Sequence, residues 1–176
     1  MRFSTRNLAL SGLFIAIGFV LPFLTMNIPT IGSALSPMHI PVLLCGFVCG
    51  APYGLIVGVI TPLLRSVIVG MPPIYPTALA MAFELAAYGL LAGLLYKMLP
   101  KKPLYVYVSL VLAMLGGRVV WGLAQLILLG IRGNAFTFTA FLSGAFINAV
   151  PGIIVHILLI PAIVLALQKL NLMRAD

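Results

Sequence analysis

The sequence predicts an all-α membrane protein, with six transmembrane helices in one compact bundle, both termini cytoplasmic, and residues 1–176 forming a single integral membrane domain. Three observations carry this prediction. Hydrophobic residues make up 63% of the chain and charged residues 7%, with a mean hydropathy of +1.25. A water-soluble fold has no means of hiding that much apolar surface, so the solvent is lipid. The apolar residues fall in long runs separated by Gly, Pro and Lys clusters, and 176 residues hold roughly five to seven spans at about 20 residues each. The basic residues stand at the ends of those runs, where they set topology. The net charge of +8 therefore speaks for orientation in a bilayer and not for nucleic acid.

The first apolar run, residues 8–26, follows Arg2 and Arg6. Gly32-Ser33-Ala34 faintly resembles a signal-peptide cleavage site, but the run is too long for a signal peptide and reads as helix 1. Ala9, Gly12 and Ala16 share one face, and Gly12 and Ala16 form a small-xxx-small pair. Such a face admits a second helix at close range, either from a partner subunit or from this chain.

Residues 27–37 read as a polar-leaning loop. The region 40–70 is either one kinked helix or two helices broken at Gly50-Ala51-Pro52. Gly46, Gly50, Gly54 and Gly58 recur every four residues and suggest close helix packing. Charge decides between the two readings. Two helices put Arg2, Arg6, Lys97, Lys101, Lys102, Lys169 and Arg174 on one side and leave Arg132 on the other, as the positive-inside rule demands. Residues 40–50 are too short to cross alone. Helix 2 must borrow from the preceding loop or stop part-way, where protein covers its end.

The stretch 61–89 is a hairpin of two apolar segments around a proline-rich turn at 70–76. Helix 4 runs over 77–96, and residues 97–103 form a basic cytoplasmic loop. Helix 5 covers 104–130, an outer loop follows to 140, and helix 6 covers 141–168, with kinks expected at Pro151 and Pro161. Residues 53–58 (YGLIVG) echo residues 88–93 (YGLLAG), a match too short to establish a repeat.

The polar residues inside these spans are the candidate substrate-binding set: His39, Arg65, Tyr75, Glu84, Arg118, Trp121, Gln125 and Asn148. A charge within an apolar helix costs about 2.5–3.5 kcal/mol on insertion scales, so it needs a partner or a task. Glu84 is the only acid besides Asp176. Arg65 lies about one turn before the proline-rich turn and Glu84 about two turns after it. Arg118, Trp121 and Gln125 stand at i, i+3 and i+7, on one helix face. Two arginines against one glutamate leave a positive excess, which invites a carboxylate held in bidentate fashion. Trp121, Tyr75 and Tyr88 offer flat apolar contact. Most of the set falls in the outer half of the bundle. Each residue also has a purely structural reading: Glu84 as one half of a buried ion pair, Trp121 as packing, Asn148 as an interhelical bond, His39 as the shape of a helix end, and His156 as a satisfied core histidine.

Other chemistries have no residues to carry them. There is no GxxxxGK[ST] for ATP, no GxSxG, no HExxH and no pair of acids for proteolysis. Cys45 and Cys49, four apart on one apolar segment, read as small packing residues, and no zinc-type spacing occurs. No catalytic residue, metal or cofactor is expected.

The run SPMHIPVLLCGFVCGAPYGLIVGVITPLLRS followed by GMPPIYPTALAMAFELAAYG, with six short helices and small residues on helix 1, resembles the substrate-binding S component of an energy-coupling factor (ECF) transporter. The likeness spans essentially the whole chain, and residues 38–41 and 65–84 are its most specific parts. It implies capture of a water-soluble vitamin or related micronutrient and docking on a transmembrane coupling subunit with two cytoplasmic ATPases. It also implies a substrate held in the outer half and a helix-1 docking face, here Ala9, Gly12 and Ala16. The positive excess points to an anionic vitamin such as pantothenate. The rival reading is a stand-alone proton-coupled secondary transporter using Glu84 or His156. A third is an intramembrane enzyme or assembly factor.

Overall fold

The structure, a computed structural model, describes residues 4–25 and 34–173. Most of the loop expected at 27–37, together with Arg2 and Arg174, lies outside the described residues. The chain folds into α1 (Thr5–Val20), extended by a 3-10 turn (Leu21–Thr25), then α2 (His39–Cys49) and α3 (Ala51–Val69). A π turn (Ile74–Ala78) leads into α4 (Leu79–Met98), and α5 (Pro103–Ile131) follows. A short α6 (Phe138–Leu142) runs through a second π turn (Ser143–Ile147) before α7 (Val150–Lys169). Helices are the form in which an apolar chain satisfies its own backbone in lipid.

Among the described residues, five helices are long and apolar enough to cross a membrane: α1 with its extension, α3, α4 with its π turn, α5 and α7. The expected count of six meets its exception at α2. Its 11 residues span about 16 Å, half of a hydrocarbon core of about 30 Å. Nine of those residues are buried, so protein and not lipid surrounds this helix. The break between α2 and α3 is sharp. Gly50 has φ 96°, a conformation that a side chain disfavours, and it ends one helix and starts the next. At the far end of α3, Gly70 closes the helix in the left-handed region with its N–H on the Ser66 carbonyl, a glycine C-cap.

The central helix is α4, with α2, α3 and α5 packed on it. α1 rests on α2 and α3, and α7 rests on α2 and α5. α1 is the least enclosed and buries only Ser11 and Gly18. Ala9, Gly12 and Ala16 all lie on its exposed side, and a Cβ on Gly12 would meet nothing within 4 Å. The small-residue face is thus turned away from this chain's own bundle.

Two ends of the bundle are tied differently. At one end Asn7 donates to the Cys49 carbonyl at 3.3 Å, Arg6 donates to the Leu172 carbonyl, and Gln168 donates to the Tyr96 hydroxyl at 2.6 Å. Lys101 caps the Tyr96 carbonyl at 2.9 Å and lies 3.6 Å above that ring. At the other end Ser66 donates to the Pro72 carbonyl at 2.5 Å, Tyr75 donates to the Leu128 carbonyl, and Arg132 stands 4.4 Å over the Tyr75 ring. The described parts of both termini therefore share an end with the basic loop, opposite Arg132.

The expected helix 6 is interrupted. Residues 143–147 form a π turn and Asn148–Ala149 separate it from α7. Pro151 sits in the first turn of α7, where its missing N–H costs nothing. It therefore starts a helix instead of kinking one, and Pro161 is the proline inside α7.

Candidate functional site

Four helices bring polar side chains to one point. Glu84 of α4 places Oε1 2.9 Å from Arg118 Nη1 of α5 and 3.5 Å from His39 Nε2 of α2. The His39 ring lies 5.2 Å from the Tyr88 ring and stacks at 5.9 Å on the His156 ring of α7. All five side chains are buried, from Tyr88 at 0% to Arg118 at 7% exposure, so their charges interact through protein and not through water.

The helices fix this meeting point. His39 begins α2, about 15 Å from the Cys49 end; Glu84 lies about 21 Å from the Met98 end; Arg118 lies about 22 Å from Pro103; and His156 lies about 20 Å from Lys169. Their contacts bring the four to a common level, about 20–22 Å along α4, α5 and α7 from the ends near the basic loop. α2 can start at that level because Ser36 adopts φ 46°, a left-handed turn rare for a residue with a side chain. Its carbonyl then accepts from the His39 backbone N–H at 3.0 Å and bonds His39 Nδ1 at 3.1 Å.

Several polar atoms of this cluster remain without a hydrogen bond: His39 Nε2, Glu84 Oε1, Tyr88 OH, Arg118 Nε and both nitrogens of His156. The two contacts to Glu84 are close enough for ion pairs but are not aligned as hydrogen bonds. Native interiors leave few such groups, and a concentration of them marks a place where another hydrogen-bonding partner belongs. His156 was expected to be a core histidine, and it is in the core.

Beside the cluster lies a cleft of about 200 Å³ between α5, the second π turn and α7. Its lining is Val111, Met114, Leu115, Phe146, Ile153 and Ile157, with Arg118 as the one charged member. An apolar body fits such walls.

The other expected site residues are dispersed. Arg65 was expected to share Glu84 with Arg118. Instead it donates to the Phe19 carbonyl at 2.8 Å and stands 4.8 Å over the Phe23 ring, tying α3 to the end of α1. Tyr75 is held at the end of α5 by Leu128 and Arg132. Trp121 packs on Phe136 at 5.9 Å and Phe141 at 6.4 Å, and a Cβ on Gly144 would lie 2.8 Å from its indole. Gln125 is half-buried with its Oε1 unsatisfied. Asn148 is exposed and bonds Ser143 at 3.3 Å. The sequence offered Tyr88 only as flat apolar contact, and His156 only as a core histidine or as the proton carrier of the rival transporter. Tyr88 gave a signal, being four residues from Glu84 and so on its face; His156, alone in an apolar helix, gave none. Among the described residues no group of three or more His, Cys, Asp or Glu could hold a metal ion.

A family model described as "ECF transporter, substrate-specific component" matches residues 6–164. No curated protein matches the chain, and no solved structure does.

Proposed function

The chain belongs to the substrate-specific components of ECF transporters, and from that premise we propose that it captures a water-soluble vitamin or related micronutrient for import, an anionic one such as pantothenate. Components of this family are transport subunits that work with a coupling subunit and ATPases. The observation that carries the reading is the buried cluster of Glu84, Arg118, His39, Tyr88 and His156, with polar atoms left unsatisfied beside an apolar cleft. The cleft offers dry walls to an apolar body, and the polar cluster lies beside it through Arg118. In this reading the substrate-binding side chains of the expected set are His39, Glu84 and Arg118, joined by Tyr88 and His156. The last two are added because they border Glu84 and His39.

The partners are a transmembrane coupling subunit and two cytoplasmic ATPases, met through Ala9, Gly12 and Ala16 on the outer face of α1. The chain sits in the cell membrane in six crossings, with α2 in the second, and both termini are cytoplasmic. The shared end of Arg6, Lys101 and Leu172 supports that orientation. The test is direct. Protein purified from its own cells should carry a small molecule that mass spectrometry identifies as a vitamin-like acid, and it should bring down a coupling subunit with ATPases. A protein that purifies alone and binds no such compound refutes the proposal.

A further inference from the structure

Four of the cluster's five buried side chains stand inside long helices: Glu84 and Tyr88 in α4, Arg118 in α5 and His156 in α7. His39 does not. It is the first residue of α2, so the segment just before it helps to fix where its ring stands. That segment lies along α7. Gly152 and His156 are four apart in α7, one above the other on one face, and both are buried. At Gly152 the approach is backbone on backbone. A Cβ there would come within 2.6 Å of the Ala34 carbonyl oxygen and 2.9 Å of the Leu35 carbonyl oxygen. One turn further on, the His156 ring stacks on the His39 ring at 5.9 Å. Between the two contacts the chain turns through Ser36 at φ 46°. The Ser36 carbonyl oxygen accepts from the His39 backbone N–H at 3.0 Å and lies 3.1 Å from its Nδ1.

We propose that Gly152 is a positioning residue of the site: its missing side chain lets residues 34–36 lie on α7, and through the Ser36 turn this sets the His39 ring against His156 and Glu84. Backbone carbonyls cannot swing aside as the end of a flexible side chain does, so a methyl group at position 152 has to lift the segment or push α7 outward. Either movement separates the two rings. Lifting the segment also draws His39 Nε2 from Glu84 Oε1, which stands 3.5 Å away. Arg118 keeps its 2.9 Å contact with Glu84, since neither residue belongs to α7 or to the segment. Helix propensity works the other way, because alanine outranks glycine inside a helix. A disturbed site in Gly152→Ala therefore reports the contact and not the helix.

The placement of His39 stands on this geometry alone; its effect on a ligand rests on the capture function proposed above. The chain has two histidines, so full-length protein carrying isotope-labelled histidine in detergent gives two sets of ring signals, assigned by the loss of one set in His39→Gln. The unaltered protein should show a through-space contact between the two rings, and its absence there overturns the proposal. Gly152→Ala should abolish the contact and shift both sets. Gly130→Ala, whose added carbon meets nothing within 4 Å, should change neither. Rings that keep their contact and their signals in Gly152→Ala overturn the proposal. Ser36→Val leaves Gly152 as it is and disfavours the left-handed turn with a β-branched side chain. It should abolish the ring contact too, and an unchanged contact removes the turn as the link and overturns the proposal even where Gly152→Ala fails to fold. Calorimetric titration with pantothenate reads the consequence for binding. Gly152→Ala should lose about tenfold or more of the affinity, as a displaced hydrogen-bonding ring would, and Gly130→Ala none. Full affinity in a protein whose ring contact is lost overturns the role of Gly152 in the site. An unaltered protein that does not bind pantothenate refutes pantothenate capture, and the ring signals still decide the placement.

Discussion

Gly54 of α3 and Gly89 of α4 touch backbone to backbone. A Cβ on Gly54 would lie 2.5 Å from the Gly89 carbonyl oxygen, and a Cβ on Gly89 would strike the Gly54 carbonyl in return. The crossing is antiparallel, so Gly58 meets Leu85 on one side and Gly93 meets Ala51 on the other. The two sequence echoes, 53–58 and 88–93, are therefore the two halves of one helix–helix contact.

A side chain at that contact must push α3 and α4 apart. Gly89→Ala should destabilise the protein by at least the roughly 1–3 kcal/mol typical of overpacking. Gly12→Ala, whose added carbon meets nothing within 4 Å, should leave stability unchanged. Thermal melting of both variants in one detergent checks the difference.

The Glu84–Arg118 pair gives an asymmetric expectation. Glu84→Gln leaves buried Arg118 without its acid and should cost about 3–5 kcal/mol of stability. Arg65→Gln removes one charge-assisted bond to a backbone carbonyl and should cost about 1.5–3 kcal/mol, loosening the end of α1. The double variant Glu84→Gln/Arg118→Gln should cost less than the sum of the two single changes. Melting of the single and double variants measures the coupling, and additive losses would show that the two residues do not interact.

Orientation is open to a reporter experiment. Arg6 bonds Leu172, and Gln168 bonds Tyr96 next to Lys97, so fusions placed after residue 173 and within 97–102 should report the same compartment. The positive-inside rule makes it the cytoplasm. Opposite reports from the two sites would break the six-crossing arrangement.

Docking on the coupling subunit is predicted to need a thin α1. Gly12→Trp and Ala16→Leu enlarge a face that this chain leaves exposed. Uptake in cells should fall tenfold or more (roughly, for a lost close-packed helix contact), while ligand binding by the purified subunit stays as it was. Normal uptake by both variants would move the docking surface elsewhere.

Much of the fold was legible because lipid simplifies the code. Apolar runs, a Gly-Ala-Pro break at residue 50 and the proline-rich turn mark helix limits whatever the partners are. The pairing of Glu84 with a buried arginine was legible from scarcity, since no other acid lies within the spans. Which arginine could not be read. Arg65 is nearer to Glu84 in sequence, but periodicity gives a residue's face and not the helix opposite it. His39 joined the cluster through the φ 46° turn at Ser36, a backbone choice that leaves no compositional trace. Trp121 presented an aromatic on the Arg118 face, and the sequence held no sign that Gly144 would come to lie beneath it.

The shortness of α2 has a consequence for how the protein is made. A helix of 11 residues is no substrate for insertion on its own, since its first N–H groups would open into hydrocarbon at a cost of several kcal/mol each, roughly. Its stable surroundings are α1, α3, α4 and α7, and two of these are synthesised well after it. α2 therefore has its full surroundings only once α4 and α7 have been made, so its final place depends on chain that is synthesised after it.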